Sequence, residues 1–163
     1  MESYERIIDK VVGDVKKEIT ATNVQEMDAL CRYASHNISY DLSSLGVENV
    51  VEDIGEVTTI PYSHSFVIVK TFEGPVLYYL IDITYSQFVP AKNKQLRIFD
   101  AWPSEELKKS QSGELLLNRL LENGYSQVDD KLLSLYLKSF DPHVEIIFTL
   151  EDLFFTEEKK NVK

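Results

Sequence analysis

Hydrophobic residues at helical spacing dominate the first part of the chain. Between residues 3 and 20 the apolar side chains share one stripe of a helix, and Glu, Lys and Asp fill the other side: Ile7, Ile8, Val11, Val12, Val15 and Ile19. A second stripe, formed by Cys31, Ala34, Ile38 and Leu42, predicts another helix. This helix begins near Asp28, a good N-cap residue, and ends at Gly46, which places Cys31 in its first turn.

Strand patterns follow these two helices. Residues 47–60 predict a strand and a loop, and two apolar segments, about 64–72 and 77–84, flank the turn sequence EGPV. With the turn centred near Glu73, His64 lies directly opposite Asp82, at a Cβ separation of about 4.5–5.5 Å. A shift of this register by one residue would put the two side chains on opposite faces of the sheet.

The rest of the chain alternates between loop and helix patterns. It predicts a loop over 86–112 with a short strand at QLRIF, helices over 113–122 and 128–139, a strand or a buried extended piece over 143–150, a short helix at LEDLFF and a frayed tail over 156–163. A chain of 163 residues without repeats or low-complexity linkers predicts one α+β domain, 1–163.

The composition disfavours some classes of binding partner. The chain is 44% hydrophobic, which suits a folded core, and its formal net charge of −10 disfavours nucleic acid and anionic membrane surfaces.

No run of about 18 apolar residues and no signal-peptide pattern is present, so the predicted location is the cytoplasm. Secretion without an N-terminal signal stays open, as does the oligomeric state. The single cysteine and the scattered histidines predict no zinc or other metal site, and no cofactor motif occurs.

Three residues carry candidate chemistry. An Asp82 carboxylate opposite His64 accepts an imidazole N–H, which fixes the tautomer and favours the imidazolium. Cys31, in the first turn of a helix, has unpaired N–H groups and the helix dipole to stabilise a thiolate. A lone cysteine with a later His and Asp is a candidate nucleophile. Each also has a structural interpretation: a strand-end histidine, a turn aspartate and a small buried hydrophobe.

The order Cys31, His64, Asp82 resembles the Cys-His-Asp triad of the papain-like and transglutaminase-like cysteine enzymes. LCRYAS resembles the start of the family's Cys helix, HSFVIV its His strand, and LIDITYSQF its Asp segment, D-x-T-x-x-Q-F. The resemblance covers about residues 27–88 and implies a Cys helix packed on an antiparallel sheet that carries His and Asp. Gln25 resembles the oxyanion Gln of papain-like enzymes by position, with Asn23 as the alternative, and either also suits a loop or cap.

The resemblance implies a thiol-dependent enzyme that acts on amide bonds of a peptide or protein substrate through a thioester. Protease, glutamine deamidase and acyl transferase are not separated by the sequence. A rival hypothesis is a catalytically silent binding module on the same scaffold, such as an immunity or adaptor protein, with Cys31 buried and unreactive. A third hypothesis, an unrelated α+β structural domain, predicts that Cys31 lies far from His64.

Overall fold

The computed structural model describes residues 3–22, 27–59, 64–72, 74–85, 110–140, 143 and 145–161. Its helices are α1 Tyr4–Thr22, α2 Met27–Ser44, α3 Ile54–Val57, α4 Gln111–Glu122, α5 Asp130–Lys138 and α6 Leu150–Asn161. Its strands are β1 Asn49–Asp53, β2 Ser65–Thr71, β3 Leu77–Ile81 and β4 Tyr125–Val128. The predicted α+β class is confirmed, and within the described ranges no helix is both long and apolar enough to cross a membrane.

The strands form one antiparallel sheet in the order β1-β2-β3-β4. Successive side chains of a strand point to opposite faces, and both faces of β2 are buried, which explains its almost uninterrupted apolar sequence SFVIV. Helices α1 and α2 cover the face that carries Val67, Val69, Tyr79 and Ile81. Helices α4, α5 and α6 cover the opposite face, which carries Phe66, Ile68 and Leu80.

The β2–β3 hairpin is present, but its register differs from the predicted one. Val67 lies opposite Ile81 and Val69 opposite Tyr79, so the turn is centred on position 74 instead of 73. Gly74 has a φ of 66°, which only glycine adopts at little cost, and this fixes the centre of the turn. Continued past the strand ends, this register places Thr84, not Asp82, opposite His64. The shift is by two residues, so Asp82 stays on the predicted face and becomes the diagonal neighbour of His64.

Residues 125–128 form a strand that the sequence pattern did not predict. The predicted helix over 128–139 begins only at Asp130, because the Asp129 side chain accepts a hydrogen bond of 2.8 Å from the Leu132 N–H and caps α5 there. The preceding segment, YSQV, pairs with β3 as the edge strand β4. The helix predicted over 113–122, which precedes β4, is α4, and it begins two residues earlier than predicted.

The end of the chain is also more regular than predicted. Helix α6 continues to Asn161, where the pattern predicts a frayed tail from residue 156. The predicted extended piece before it contributes one isolated bridge between Ile146 and Thr58. The predicted loop over 86–112 lies outside the described residues up to position 109, and this includes the short strand predicted at QLRIF.

Candidate active site

Cys31, His64 and Asp82 meet at one end of the sheet. His64 is the residue before β2 and Asp82 the residue after β3, and these two positions are at the same end because the strands are antiparallel. The His64 Nε2 lies 2.7 Å from the Asp82 Oδ2. The Cys31 thiol, carried by α2, makes a hydrogen bond with the His64 ring. The third hypothesis, which placed Cys31 far from His64, is therefore wrong on this point.

The backbone around these side chains is held by the sheet. The His64 carbonyl accepts a 2.9 Å hydrogen bond from the Ile54 N–H, and the Asp82 N–H donates to the Gly124 carbonyl at 2.8 Å. Both bonds continue the pattern of the sheet by one residue beyond the strands. The backbone at His64 and at Asp82 is thus held by hydrogen bonds to neighbouring segments, which helps to keep the imidazole and the carboxylate at a constant distance.

Cys31 lies deeper in its helix than predicted. Helix α2 begins at Met27, so Asp28 is inside the helix and Cys31 is its fifth residue, not a residue of the first turn. In an α-helix the N–H of the fifth residue donates to the carbonyl of the first. The Cys31 N–H is therefore occupied by the helix itself, whereas the sequence had predicted unpaired N–H groups at this position that would stabilise a thiolate.

The Asp82 carboxylate accepts four hydrogen bonds from residues that the structure describes. Its Oδ2 accepts from His64 and also from the Tyr136 hydroxyl, each at 2.7 Å. Its Oδ1 accepts from the backbone N–H and the hydroxyl of Thr84, each at 3.3 Å. A buried carboxylate is stable in its ionised form only when donors replace its water shell, and these four donors do so.

His64 is held in its protonated form. Burial lowers the pKa of His64. The charge of Asp82, the hydrogen bond to Asp82 and the contact with Cys31 together raise this pKa by more than burial lowers it, and the result is a pKa of about 9. At neutral pH the ring is therefore an imidazolium. Since Nε2 is engaged by Asp82, Nδ1 is the nitrogen available to the thiol.

Aromatic side chains of α5 and of the segment after it cover the pair. The Phe140 ring lies 5.4 Å from the His64 ring, centroid to centroid, and the Tyr136 and Phe140 rings pack edge to face at 5.3 Å. The exposed fractions of Cys31, His64 and Asp82 are 2%, 1% and 4%. The described structure is therefore one in which the thiol is shielded from solvent.

The sequence analysis predicted the three residues that meet here, but it did not predict the residues that contact the His64–Asp82 pair. Tyr136 and Phe140 were predicted only as core residues of a helix, and helical periodicity carries no information about which core hydroxyl meets a carboxylate. Thr84 had a local signal, since an Asp side chain commonly accepts a hydrogen bond from the backbone N–H two residues further on. Gln25 and Asn23 lie outside the described residues, and His36 and His143 are exposed. The part of the chain that the structure describes contains no cluster of metal-ligating side chains.

Comparison with known proteins returned no relatives: no protein-family model, no curated protein and no solved structure matches this chain.

Proposed function

We propose that the protein is a thiol-dependent enzyme that acts on amide bonds of a peptide or protein substrate, as a protease, a glutamine deamidase or an acyl transferase. The observation that carries the proposal is the hydrogen-bonded series Cys31–His64–Asp82. A nucleophile, a base and a group that orients the base are the parts required for covalent acyl transfer. The resemblance of residues 27–88 to the papain-like and transglutaminase-like enzymes supports the same class.

The proposed reaction uses the charges that the site holds. The imidazolium of His64 stabilises the Cys31 thiolate, which adds to the carbonyl carbon of the substrate. The carbon–nitrogen bond then breaks, the departing nitrogen takes the His64 proton, and a thioester remains on Cys31. Water or a second amine next attacks the thioester and gives a proton to His64, and the carbon–sulfur bond breaks to restore the thiolate. Water as acceptor gives hydrolysis or deamidation, and an amine gives acyl transfer.

Two features set conditions on this reaction. The substrate carbonyl must reach a sulfur in a side chain that is only 2% exposed, so access requires a change of conformation. The Cys31 N–H already serves its helix, so a different donor must stabilise the developing oxyanion. The sequence nominates Gln25 or Asn23 for that role.

The burial of the triad favours a second candidate, a catalytically silent binding module on the same scaffold. In such a protein the His64–Asp82 pair would be a structural ion pair, satisfied by Tyr136 and Thr84, and Cys31 a small core residue. The two candidates differ in the chemistry of the thiol. In the enzyme, Cys31 would react as a thiolate at pH values below the titration range of an ordinary thiol, because the His64 imidazolium would stabilise the thiolate.

The deciding experiment is the rate of iodoacetamide alkylation as a function of pH. Cys31 is the only cysteine of the chain, so the modification has one target. We would compare wild type, His64→Gln, which keeps an amide donor for Asp82, and His36→Gln, an exposed histidine on the same helix as the thiol. The enzyme predicts alkylation that persists well below pH 8 in wild type and His36→Gln and is lost in His64→Gln.

Alkylation with a midpoint above about 8.5 in all three proteins, or no alkylation of the folded state, would reject the enzyme and leave the binding module. Urea midpoints of the variants, measured in parallel, separate a loss of reactivity from a loss of folding.

A further inference from the structure

Tyr136 is a partner of Asp82 that the Cys-His-Asp series does not include. Its hydroxyl donates to Oδ2, the same oxygen that binds His64 Nε2, and both distances are 2.7 Å. Tyr136 comes from α5, on the opposite side of the sheet from the helix that carries Cys31. The exposed fraction of Tyr136 is 0%, so this hydrogen bond is shielded from bulk solvent.

The hydrogen-bond pattern determines where the protons are. Burial first, and then the charge of Asp82, raise the pKa of Tyr136 well above its usual value, so the phenol keeps its proton. Among the described residues the carboxylate is the only hydrogen-bond acceptor recorded for that proton. Asp82 then accepts hydrogen bonds at both oxygens, as an ionised carboxylate does. An ionised Asp82 requires a proton on His64 Nε2, and in the neutral ring this leaves the lone pair on Nδ1, toward Cys31.

We infer that Tyr136 is a positioning residue, whose hydroxyl orients the Asp82 carboxylate so that His64 directs its Nε2 proton to Oδ2 and presents Nδ1 to Cys31. The catalytic meaning of this arrangement rests on the proposed function. The arrangement itself does not, because it follows from the contacts of Asp82 alone.

Sharing one oxygen between two donors has a measurable effect. A neutral hydroxyl bonded to Oδ2 withdraws part of the negative charge that would otherwise favour the imidazolium. Within the described part of the chain, removal of the hydroxyl leaves His64 as the only donor to this oxygen, so the imidazolium becomes more stable. Among the described residues, the ionisable groups around the pair are Cys31, Tyr85 and Tyr136. Tyr85 provides a control, because it is 1% exposed and its hydroxyl donates to Ser139, not to the carboxylate.

The experiment is a titration of His64 by NMR in protein labelled with ¹⁵N-histidine. The chain has three histidines, and His64→Gln assigns the signal. In Tyr136→Phe we expect the midpoint of His64 to rise by about half a unit or more, and in Tyr85→Phe to stay within about 0.2 units of wild type. An unchanged or lowered midpoint in Tyr136→Phe, or an equal rise in Tyr85→Phe, would overturn the inference.

A second substitution keeps the test decisive if Tyr136→Phe does not fold. Site-specific 3-fluorotyrosine at position 136 has nearly the same volume and a more acidic hydroxyl, which donates more strongly to Oδ2. The His64 midpoint should then fall, and no change would count against the positioning role.

Alkylation profiles of the same proteins separate this inference from the proposed function. A raised His64 midpoint in Tyr136→Phe, together with a wild-type thiol that reacts only above pH 8.5 or so, would sustain the positioning role and reject the enzyme. A His64-dependent thiolate in wild type, with no effect of Tyr136→Phe on the His64 midpoint, would sustain the enzyme and reject the positioning role.

Discussion

The Asp82 carboxylate connects three separate parts of the chain. It accepts hydrogen bonds from His64 just before β2, from Tyr136 of α5 and from Thr84 of its own turn, so both of its oxygens have donors. A group in this position cannot change its hydrogen-bonding capacity without cost, because each donor that loses its acceptor stays buried and unpaired. Asp82 is therefore the residue at which a minimal substitution has the largest expected effect.

We expect Asp82→Asn to abolish the protonated state of His64 at pH 7. The amide NH₂ must face either His64 and Tyr136 or the backbone N–H of Thr84, and each of these now meets a donor. Without the carboxylate, burial is the main influence left on His64, and burial lowers its pKa. The ¹⁵N spectrum at pH 7 should show a neutral ring, and urea unfolding should show a loss of about 3 kcal/mol or more.

Thr84→Val is the matched control for Asp82→Asn. It removes the 3.3 Å bond from the Thr84 hydroxyl to Oδ1 and leaves the backbone donor and the His64 pair in place. An imidazolium at pH 7 and a loss of about 1 kcal/mol are expected. A neutral His64 in this variant, or a protonated one in Asp82→Asn, would show that the carboxylate does not control the ring.

At the scale of elements, the hairpin shows what the sequence can and cannot predict. Two apolar segments around a turn predicted both strands, and the alternation of side chains along a strand predicted that His64 and Asp82 share a face. The register depended on which residue of EGPV centres the turn, and Gly74 does so with its positive φ. The predicted contact between His64 and Asp82 is still present because the register differs by two residues, which leaves both side chains on the same face. Strand β4 was missed because YSQV is too short and too polar to show a strand period of its own.

Gly124, which joins α4 to β4, tests how strictly an element boundary positions the site. Its φ is 83°, and a Cβ there would lie 2.7 Å from Ile83 Cγ2, next to the bond between its carbonyl and the Asp82 N–H. Gly46, at the end of α2, has a φ of 77° and nothing within 4 Å of such a Cβ. We expect Gly46→Ala to cost about 1–2 kcal/mol for its backbone conformation. Gly124→Ala should cost roughly 1–3 kcal/mol more, for crowding.

Urea unfolding of the two glycine variants measures both effects, and the His64 titration shows whether crowding at Gly124 reaches the site. A shifted His64 midpoint is expected in Gly124→Ala and not in Gly46→Ala. Equal destabilisation of the two variants would mean that Ile83 moves aside and that this junction does not hold Asp82.

At the scale of the molecule, the site exists because helices from both sides of the sheet reach the same end of it. Helix α2 brings Cys31 from one side, and α5 brings Tyr136 from the other. The sequence could name Cys31, His64 and Asp82, since their chemistry and local patterns are visible in the chain. It could not place Tyr136 there, because 54 residues separate it from Asp82 and its helix has an ordinary core pattern.

The protonated pair also predicts how the stability of the whole protein depends on pH. The pKa of His64 is about 9 in the folded protein and about 6.5 in the unfolded chain, so between these values the folded state holds a proton that the unfolded state has lost. The resulting stabilisation is fully present below about pH 6.5 and is lost as the pH rises through about 9. Its size is roughly 3 kcal/mol, without correction for solvent screening because the ring is fully buried.

Urea unfolding at pH 6 and pH 9.5 in wild type and His64→Gln measures this contribution. Tyr85 and Tyr136, whose pKa values are raised first by burial, also stabilise the folded state less as the pH rises, but they are present in both proteins. The loss of unfolding free energy between the two pH values should therefore be greater in wild type by about 3 kcal/mol. Parallel losses in the two proteins would mean that His64 is not protonated in the folded state, and the thiolate–imidazolium pair of the proposed enzyme would lose its cation.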